Sequence, residues 1–200
     1  KSNRYFVTKY LQTNYSSLTT KKKSNVIMVY RAGLLYLRYA EAVNRLGKPN
    51  LAMAALKYGL NKVTLTNKKY VPEIETGAAI PPYMDFTDVR FDYNMGVHMR
   101  GCGNVNVDTT YYRIPDFAAS TQPKQDSLIY VEDLIEKELA LETAFEGNRF
   151  HDLMRITLRR IKNSEGDASY LADLIAPKHI GNEAAIREKL MHPENWYIKK

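Results

Sequence analysis

Apolar residues recur along this chain mostly with a helical period, which is interrupted once in the middle. Between residues 26 and 46 the polar side chains form a narrow stripe on an otherwise apolar stretch, so this helix is predicted to be buried on most sides. Gly47 can end it, and Pro49 can begin a second helix, rich in small residues, that is predicted to reach residue 63. Residues 26–63 are therefore predicted to form a tight antiparallel helical hairpin.

The helical period disappears at residue 70, beyond which five prolines and four glycines punctuate the sequence. It returns at Asp126 or Ser127, either of which can cap a helix that is predicted to end at Phe145. Further helices are predicted over residues 149–161, 168–175 and 183–190. The predicted fold is mainly α-helical in one domain, 1–200, and consists of a helical hairpin (26–63), a long irregular loop region (70–123), a helical pair (126–161) and C-terminal helices with a tail (168–200).

Acidic side chains interrupt the apolar face of the helix predicted to end at Phe145. At about 100° per residue, Glu138 and Glu142 lie in the middle of that face, and Glu146 lies close to it. The opposite, solvated face is predicted to carry Glu132, Asp133, Glu136 and Lys137. A buried carboxylate costs several kcal/mol unless it is paired or hydrogen-bonded, so the three core-facing acids need partners.

Three kinds of site would supply such partners. The acids could join arginines in a structural ion network, serve as catalytic acids, or bind a metal together with His151 and Asp152. A Glu-x-x-His pair, which a di-metal bundle site needs, is missing from the sequence. Arginines are abundant nearby, and Arg31 and Arg38 are further candidates on the first helix, so the network is favoured. Its predicted members are Glu138, Glu142, Glu146, Arg149, Asp152 and Arg155.

The composition narrows the classes of function. Hydrophobic residues make up 44% and charged residues 26%, as in ordinary soluble domains. The net charge of +7 is scattered, which favours a solvated surface over a nucleic-acid interface. Cys102 is the only cysteine and cannot form an internal disulfide. No motif indicates a metal, a cofactor or catalysis.

Aromatic residues are frequent in the irregular region, and the chain has 15 tyrosines. They could pin the loop to the helices, or some of them could contact a ligand. The candidates for ligand contact are Tyr83, Phe91, Tyr93, Tyr111 and Tyr112.

Two blocks of motifs resemble a known family. Residues 30–47 contain an arginine, then Tyr-Leu-x-x-Ala-Glu-Ala and Leu-Gly, and this block with the helix after it also resembles one tetratricopeptide-type unit. Residues 138–155 contain Glu-Leu-Ala, Glu-Gly-x-Arg and Asp-Leu-x-Arg, and Trp196-Tyr197 lies near the end. Together the blocks resemble the SusD/RagB family, of which the chain looks like a C-terminal portion.

The resemblance implies an outer-membrane nutrient-binding lipoprotein and not an enzyme. Such a protein would face outwards, bind an oligosaccharide or another nutrient, and deliver it to a SusC-like TonB-dependent transporter. Its membrane association would run only through a lipid anchor that this chain lacks. Since a flat ring matches the C–H face of a sugar, the loop aromatics would be the ligand platforms. The alternative is a tetratricopeptide-like module that binds a protein or peptide.

Overall fold

A two-helix hairpin begins the part of the chain described by the computed structural model, which comprises residues 32–77, 81–94, 96–97 and 113–197. Helix α1, Ala32–Arg45, and helix α2, Pro49–Lys57, are joined by three residues and pack against each other. Gly47 turns the chain with φ of +78°, a value that glycine adopts without a Cβ penalty. Residues 26–31 of the predicted first helix lie outside the described residues.

The second predicted helix is shorter than expected. It was predicted to reach residue 63, but α2 ends at Lys57 because the chain turns at Gly59, where φ is +88°. A separate helix α3, Lys62–Thr66, follows, and the side chain of Asn61 caps it by accepting a hydrogen bond from Thr64 N at 2.9 Å.

A short helix α4, Glu73–Thr76, lies at the N-terminus of α2. The buried carboxylate of Glu75 accepts hydrogen bonds from the backbone N–H groups of Asn50, at 3.1 Å, and Leu51, at 2.8 Å. These two groups belong to the first turn of α2, which has no helical partners for them, so the acid acts as its cap.

The long helix α5, Pro123–Glu142, lies at the centre of the packing and contacts α1, α2 and helix α6, Arg149–Lys162. It begins three residues before the predicted cap, with Pro123 at its first position, and it ends before Phe145. That residue was predicted on the apolar face, but it is exposed, with a positive φ, in the turn that leads to α6.

The solvated face predicted for α5 is wrong at two positions. Glu132 and Glu136 are only 2% and 3% exposed, because neighbouring helices cover α5 on more than one side. A single apolar face assumes one packing partner, and α5 has three. Lys137 is exposed and Asp133 is partly exposed, as predicted.

A second, smaller core joins α6 to the end of the chain. Helices α7, Ser169–Ile175, and α8, Glu183–Leu190, pack on each other and on single 3-10 turns at Ala176–Lys178 and Pro193–Asn195. Trp196 fills this core and donates its indole N–H to the carbonyl of Leu190 at 2.8 Å.

The predicted mainly α-helical fold is confirmed, and the described ranges contain no β-strand. The described parts of the irregular region include α4 and the 3-10 turns Pro82–Met84 and Val89–Phe91. None of the helices in those ranges is long and apolar enough to cross a membrane. The division of the chain into the predicted parts stays a prediction.

Candidate functional site

Residues 81–97, here called the aromatic segment, lie against the helical hairpin and are fixed to it by specific contacts. Two asparagine side chains connect the segment to the turn before α3: Asn61 Nδ2 donates to the carbonyl of Asn94 at 2.9 Å, and Asn94 Nδ2 donates to the carbonyl of Leu60 at 3.1 Å. Met84 and Val97 are buried in the main core. The segment is irregular, yet its backbone is held in place.

Glycine is required at one of these contacts. A Cβ at Gly96 would lie 2.3 Å from the backbone carbon and oxygen of Lys57, at the end of α2. No real side-chain carbon approaches a backbone that closely, so only glycine permits this docking. The aromatic segment therefore meets the hairpin backbone to backbone.

Edge-to-face contacts between aromatic rings also connect the segment to α1. The ring centroids of Tyr39 on α1 and Phe86 are 5.4 Å apart, and those of Phe86 and Phe91 are 5.1 Å apart, both with steep interplanar angles. Burial and the nearby Tyr83 raise the pKa of Tyr39 well above its usual value, so its hydroxyl stays neutral. Phe91 is half-buried among these rings, which is the pinning role that the sequence left open.

Two of the candidate aromatic residues present rings to solvent. Tyr83 is 48% exposed and Tyr93 is 94% exposed. The structure thus divides the candidates: Phe91 supports, whereas Tyr83 and Tyr93 are available to a ligand. Tyr111 and Tyr112 lie outside the described residues, as does Cys102. That Tyr83, Phe91 and Tyr93 bind a ligand stays a prediction.

An ion network joins α1, α5 and α6, and its first centre is Glu41 on α1. Arg155 of α6 donates to both carboxylate oxygens of Glu41, at 2.9 Å for Nη2–Oε2, and Arg45 pairs with the same group. Arg38 contacts Glu41 at 3.3 Å and Asp152 at 2.5 Å, and Arg155 lies 3.4 Å from Asp152. Three arginines and two acids thereby tie α1 to α6.

The second centre is Glu132 on α5. Arg159 and Arg160 of α6 both donate to its carboxylate, Arg160 Nε at 2.8 Å. Arg160 also contacts Asp133 at 2.7 Å and stacks on Tyr170, 4.0 Å from the ring centroid. Arg45 lies 3.9 Å from Glu132 and links the two centres. The network therefore joins α1, α5 and α6.

The predicted network members occupy different places. Asp152 and Arg155 lie in the first centre, and Arg149 instead pairs with Glu136. Glu138 is buried, whereas Glu142 and Glu146 are partly buried, and membership of these three acids in the network stays a prediction.

Sequence reasoning missed the two acids at the centres of the network. Glu41 was not among the predicted network members, and Glu132 was placed on the solvated face. A usable signal was the stripe formed by Arg31, Arg38 and Arg45 at seven-residue spacing, because such a stripe on an otherwise buried helix requires acids opposite it. Arg31 itself lies outside the described residues.

The first centre predicts a dependence of stability on pH. Burial alone would raise the pKa of Glu41, but hydrogen bonds from Arg155 and the charges of Arg155, Arg45 and Arg38 outweigh burial and hold that pKa below its usual 4.5. A lowered pKa in the folded state means that the unfolded chain binds the proton more readily. The stabilisation is therefore complete above pH 4.5 and is lost as the pH falls through the folded pKa.

Urea unfolding between neutral pH and about pH 3 measures this dependence. We expect Glu41→Gln to be less stable than the parent at neutral pH and to lose less stability on acidification. Parallel losses in the two proteins would contradict the assignment of this acid transition to Glu41.

A metal site lacks support in the part of the chain that can be described. No group of three or more His, Cys, Asp or Glu side chains there is arranged to hold a metal ion. His151, the residue considered for such a site, is exposed on α6.

Comparison with known proteins identifies the family of this chain. The model of the SusD family matches residues 1–197. Neither a curated protein nor a solved structure matches the chain. The match covers nearly the whole sequence, including both motif blocks and the aromatic segment. The chain therefore belongs to the SusD family.

Proposed function

We propose that this protein captures an oligosaccharide at the outer face of the outer membrane and passes it, chemically unchanged, to a SusC-like TonB-dependent transporter. Membership of the SusD family, whose members bind nutrients at the outer membrane and are not enzymes, supports the proposal. In this account the protein is held at the membrane by a lipid anchor and needs no cofactor.

The observation that carries the proposal is the pair of solvent-facing tyrosines on a fixed segment. Tyr83 and Tyr93 expose large rings, while the hydrogen bonds of Asn61 and Asn94 and the Gly96 contact hold the backbone of the segment. A sugar that stacks on rings carried by such a backbone loses little binding energy to ordering the segment. A solvent-facing ring on a fixed base is the arrangement that a carbohydrate platform requires.

The arginines of the ion network argue against acid–base catalysis by the acids that they surround. A general acid must hold a proton near neutral pH, and the arginines around Glu41 keep its pKa low. The arginines that surround Glu132 and Asp152 likewise use their charge in docking helices. These pairings support a structural role for the three acids over a role in acid–base catalysis.

Calorimetry against a panel of oligosaccharides, with chromatography of the recovered ligand, tests the proposal. We expect saturable binding of at least one oligosaccharide and recovery of intact ligand. Binding of peptides with no response to any glycan would favour the tetratricopeptide-like module instead. Release of shorter sugars would indicate an enzyme. Co-purification with the transporter tests delivery.

Removal of the exposed rings should weaken binding of the oligosaccharide. We expect the double variant Tyr83→Ala/Tyr93→Ala to lose about tenfold in affinity or more, since each stacked aromatic contributes roughly 0.5–1.5 kcal/mol beyond the area it buries. Calorimetry measures the loss. Tyr197→Ala is the matched control, because Tyr197 is 56% exposed but lies in the C-terminal tail. Equal losses in control and double variant would contradict the assignment.

A further inference from the structure

An exposed ion pair lies in the middle of the aromatic segment, between its two solvent-facing tyrosines in the sequence. Arg90 Nε donates to Asp88 Oδ1 at 2.9 Å, and Arg90 Nη2 donates to Asp88 Oδ2 at 3.1 Å. The side chains of Arg90 and Asp88 are 80% and 45% exposed. Since a solvent-exposed ion pair contributes little to stability, this one is available for a role in binding.

The carboxylate of Asp88 fixes both its own turn and the guanidinium of Arg90. It also accepts a hydrogen bond from the backbone N–H of Arg90 at 2.9 Å, at the start of the 3-10 turn Val89–Phe91. The ring of Phe91, at the end of this turn, packs on the ring of Phe86. Because two of its nitrogens bond one carboxylate, the guanidinium has a defined orientation, and a ligand does not have to order it.

Arg90 is close enough to Tyr93 for one oligosaccharide to contact both. The two residues are three positions apart, so their Cα atoms are at most about 11 Å apart even in a fully extended chain. The chain turns here, because Asn94 N donates to the carbonyl of Phe91 at 3.0 Å, and this shortens the separation. Tyr93 is 94% exposed, so both side chains are largely open to a ligand from solvent.

The chemistry of the ion pair matches hydroxyl groups. Of the five N–H bonds of the guanidinium, two are used on Asp88 and three remain as donors. The carboxylate receives three hydrogen bonds from Arg90 and keeps about one lone pair as an acceptor. A sugar hydroxyl both donates and accepts, so it can bond either group. A carboxylate on a sugar only accepts, and it would also be repelled by the charge of Asp88.

We infer that Arg90 is a specificity-determining residue of the oligosaccharide site, with Asp88 as its positioning residue, and that the pair selects neutral sugars over acidic ones. Arg90 donates to the hydroxyls of an oligosaccharide that stacks on Tyr93, while Asp88 orients Arg90 and compensates its charge. The hydrogen bonds from Arg90 lower the pKa of Asp88, which keeps this carboxylate ionised at neutral pH. This inference rests on the proposed function and names the class of its ligand.

Calorimetry with neutral and acidic hexasaccharides tests the inference. The neutral probes are linear hexamers of glucose, xylose, mannose and galactose, and the acidic probe is hexagalacturonate. We expect the parent protein to bind a neutral hexamer more tightly than hexagalacturonate. Arg90→Gln should lose about tenfold in affinity for that neutral hexamer, since hydrogen bonds from a charged donor are stronger than those between neutral groups.

Asp88→Asn separates an effect on specificity from a general disturbance of the segment. Asparagine can still accept from the backbone N–H of Arg90, so the turn should be kept, but the charge of Arg90 is no longer compensated. We expect lower affinity for the neutral hexamer and higher affinity for hexagalacturonate, a pair of opposite changes that disruption of the segment would not produce. The matched controls are Asp173→Asn and Arg187→Gln, which break an exposed pair of 2.8 Å between α7 and α8 and should leave both affinities unchanged.

The inference and the proposed function fail separately. Equal affinities of Arg90→Gln and the parent for the neutral hexamer, or equal losses in Arg90→Gln and Arg187→Gln, would overturn the inference while the proposed function stands. Tighter binding of hexagalacturonate than of every neutral hexamer by the parent would do the same. If the parent bound none of the hexamers, the proposed function would be overturned and this inference with it.

Discussion

Replacement of Glu132 by alanine should lower the free energy of unfolding by about 3 kcal/mol, since breaking a buried ion pair from one side leaves the arginines with less compensating charge. Arg160, which is itself buried, would keep only Asp133, and Arg159 only Glu165. The side chain of Glu132 also fills space between α5 and α6, so its removal leaves a cavity as well. Urea unfolding followed by circular dichroism measures the loss.

The control is the same substitution at an exposed glutamate. Glu188 on α8 has a side chain that is 81% exposed, and Glu188→Ala should change stability by less than about 0.5 kcal/mol. Similar values for the two variants would mean that the second centre of the network contributes nothing to the docking of α6. Glu132→Gln should be intermediate, because it keeps the volume but removes the charge.

Gly96→Ala should also lower the free energy of unfolding, in this case through a clash between backbones and not through a loss of charge pairing. The new Cβ would meet the Lys57 backbone at 2.3 Å, and two residues before Gly96 the chain is hydrogen-bonded to Asn61 and Leu60. Overpacking of this kind costs typically 1–3 kcal/mol. We expect the aromatic segment to leave the hairpin, with a tenfold or greater loss of oligosaccharide affinity and faster proteolysis within residues 81–97.

Gly166→Ala provides the comparison for this substitution. Its Cβ would meet Arg160 at 3.7 Å, an ordinary contact, so stability and ligand affinity should both be retained. If Gly96→Ala bound oligosaccharide as tightly as the parent, the docking of the segment would be irrelevant to the site.

The helices of this fold could be predicted from the sequence because their signals are local. Apolar periodicity and the punctuation by Gly47 and Pro49 identified the hairpin, and α6 was predicted to within one residue of its bounds. The end of the second helix was missed because the helix was predicted to continue through Gly59, whose positive φ turns the chain.

The partners of the charged residues could not be predicted in the same way. Glu132 and Glu136 looked solvated because a helical wheel assumes one buried face, and only the tertiary arrangement shows that α5 is covered on several sides. The ion pairs between α1 and α6 join residues more than a hundred positions apart, and the seven-residue arginine stripe gave the acidic partners only by implication.

The sequence predicted which aromatic residues could contact a ligand, but not which of them lie on the surface. The irregular segment gave no indication of which aromatic rings pack and which face solvent. That distinction depends on the Asn61–Asn94 pair and on Gly96, whose partners come from other parts of the chain. The rings of Tyr83 and Tyr93 are exposed, and their role as ligand platforms stays a proposal.

A crystal structure of the complex with the tightest-binding oligosaccharide would show where the ligand lies. We expect an intact oligosaccharide stacked on the ring of Tyr83 or Tyr93, with the backbone of residues 81–97 unmoved. An oligosaccharide bound elsewhere, with both rings still facing solvent, would contradict it.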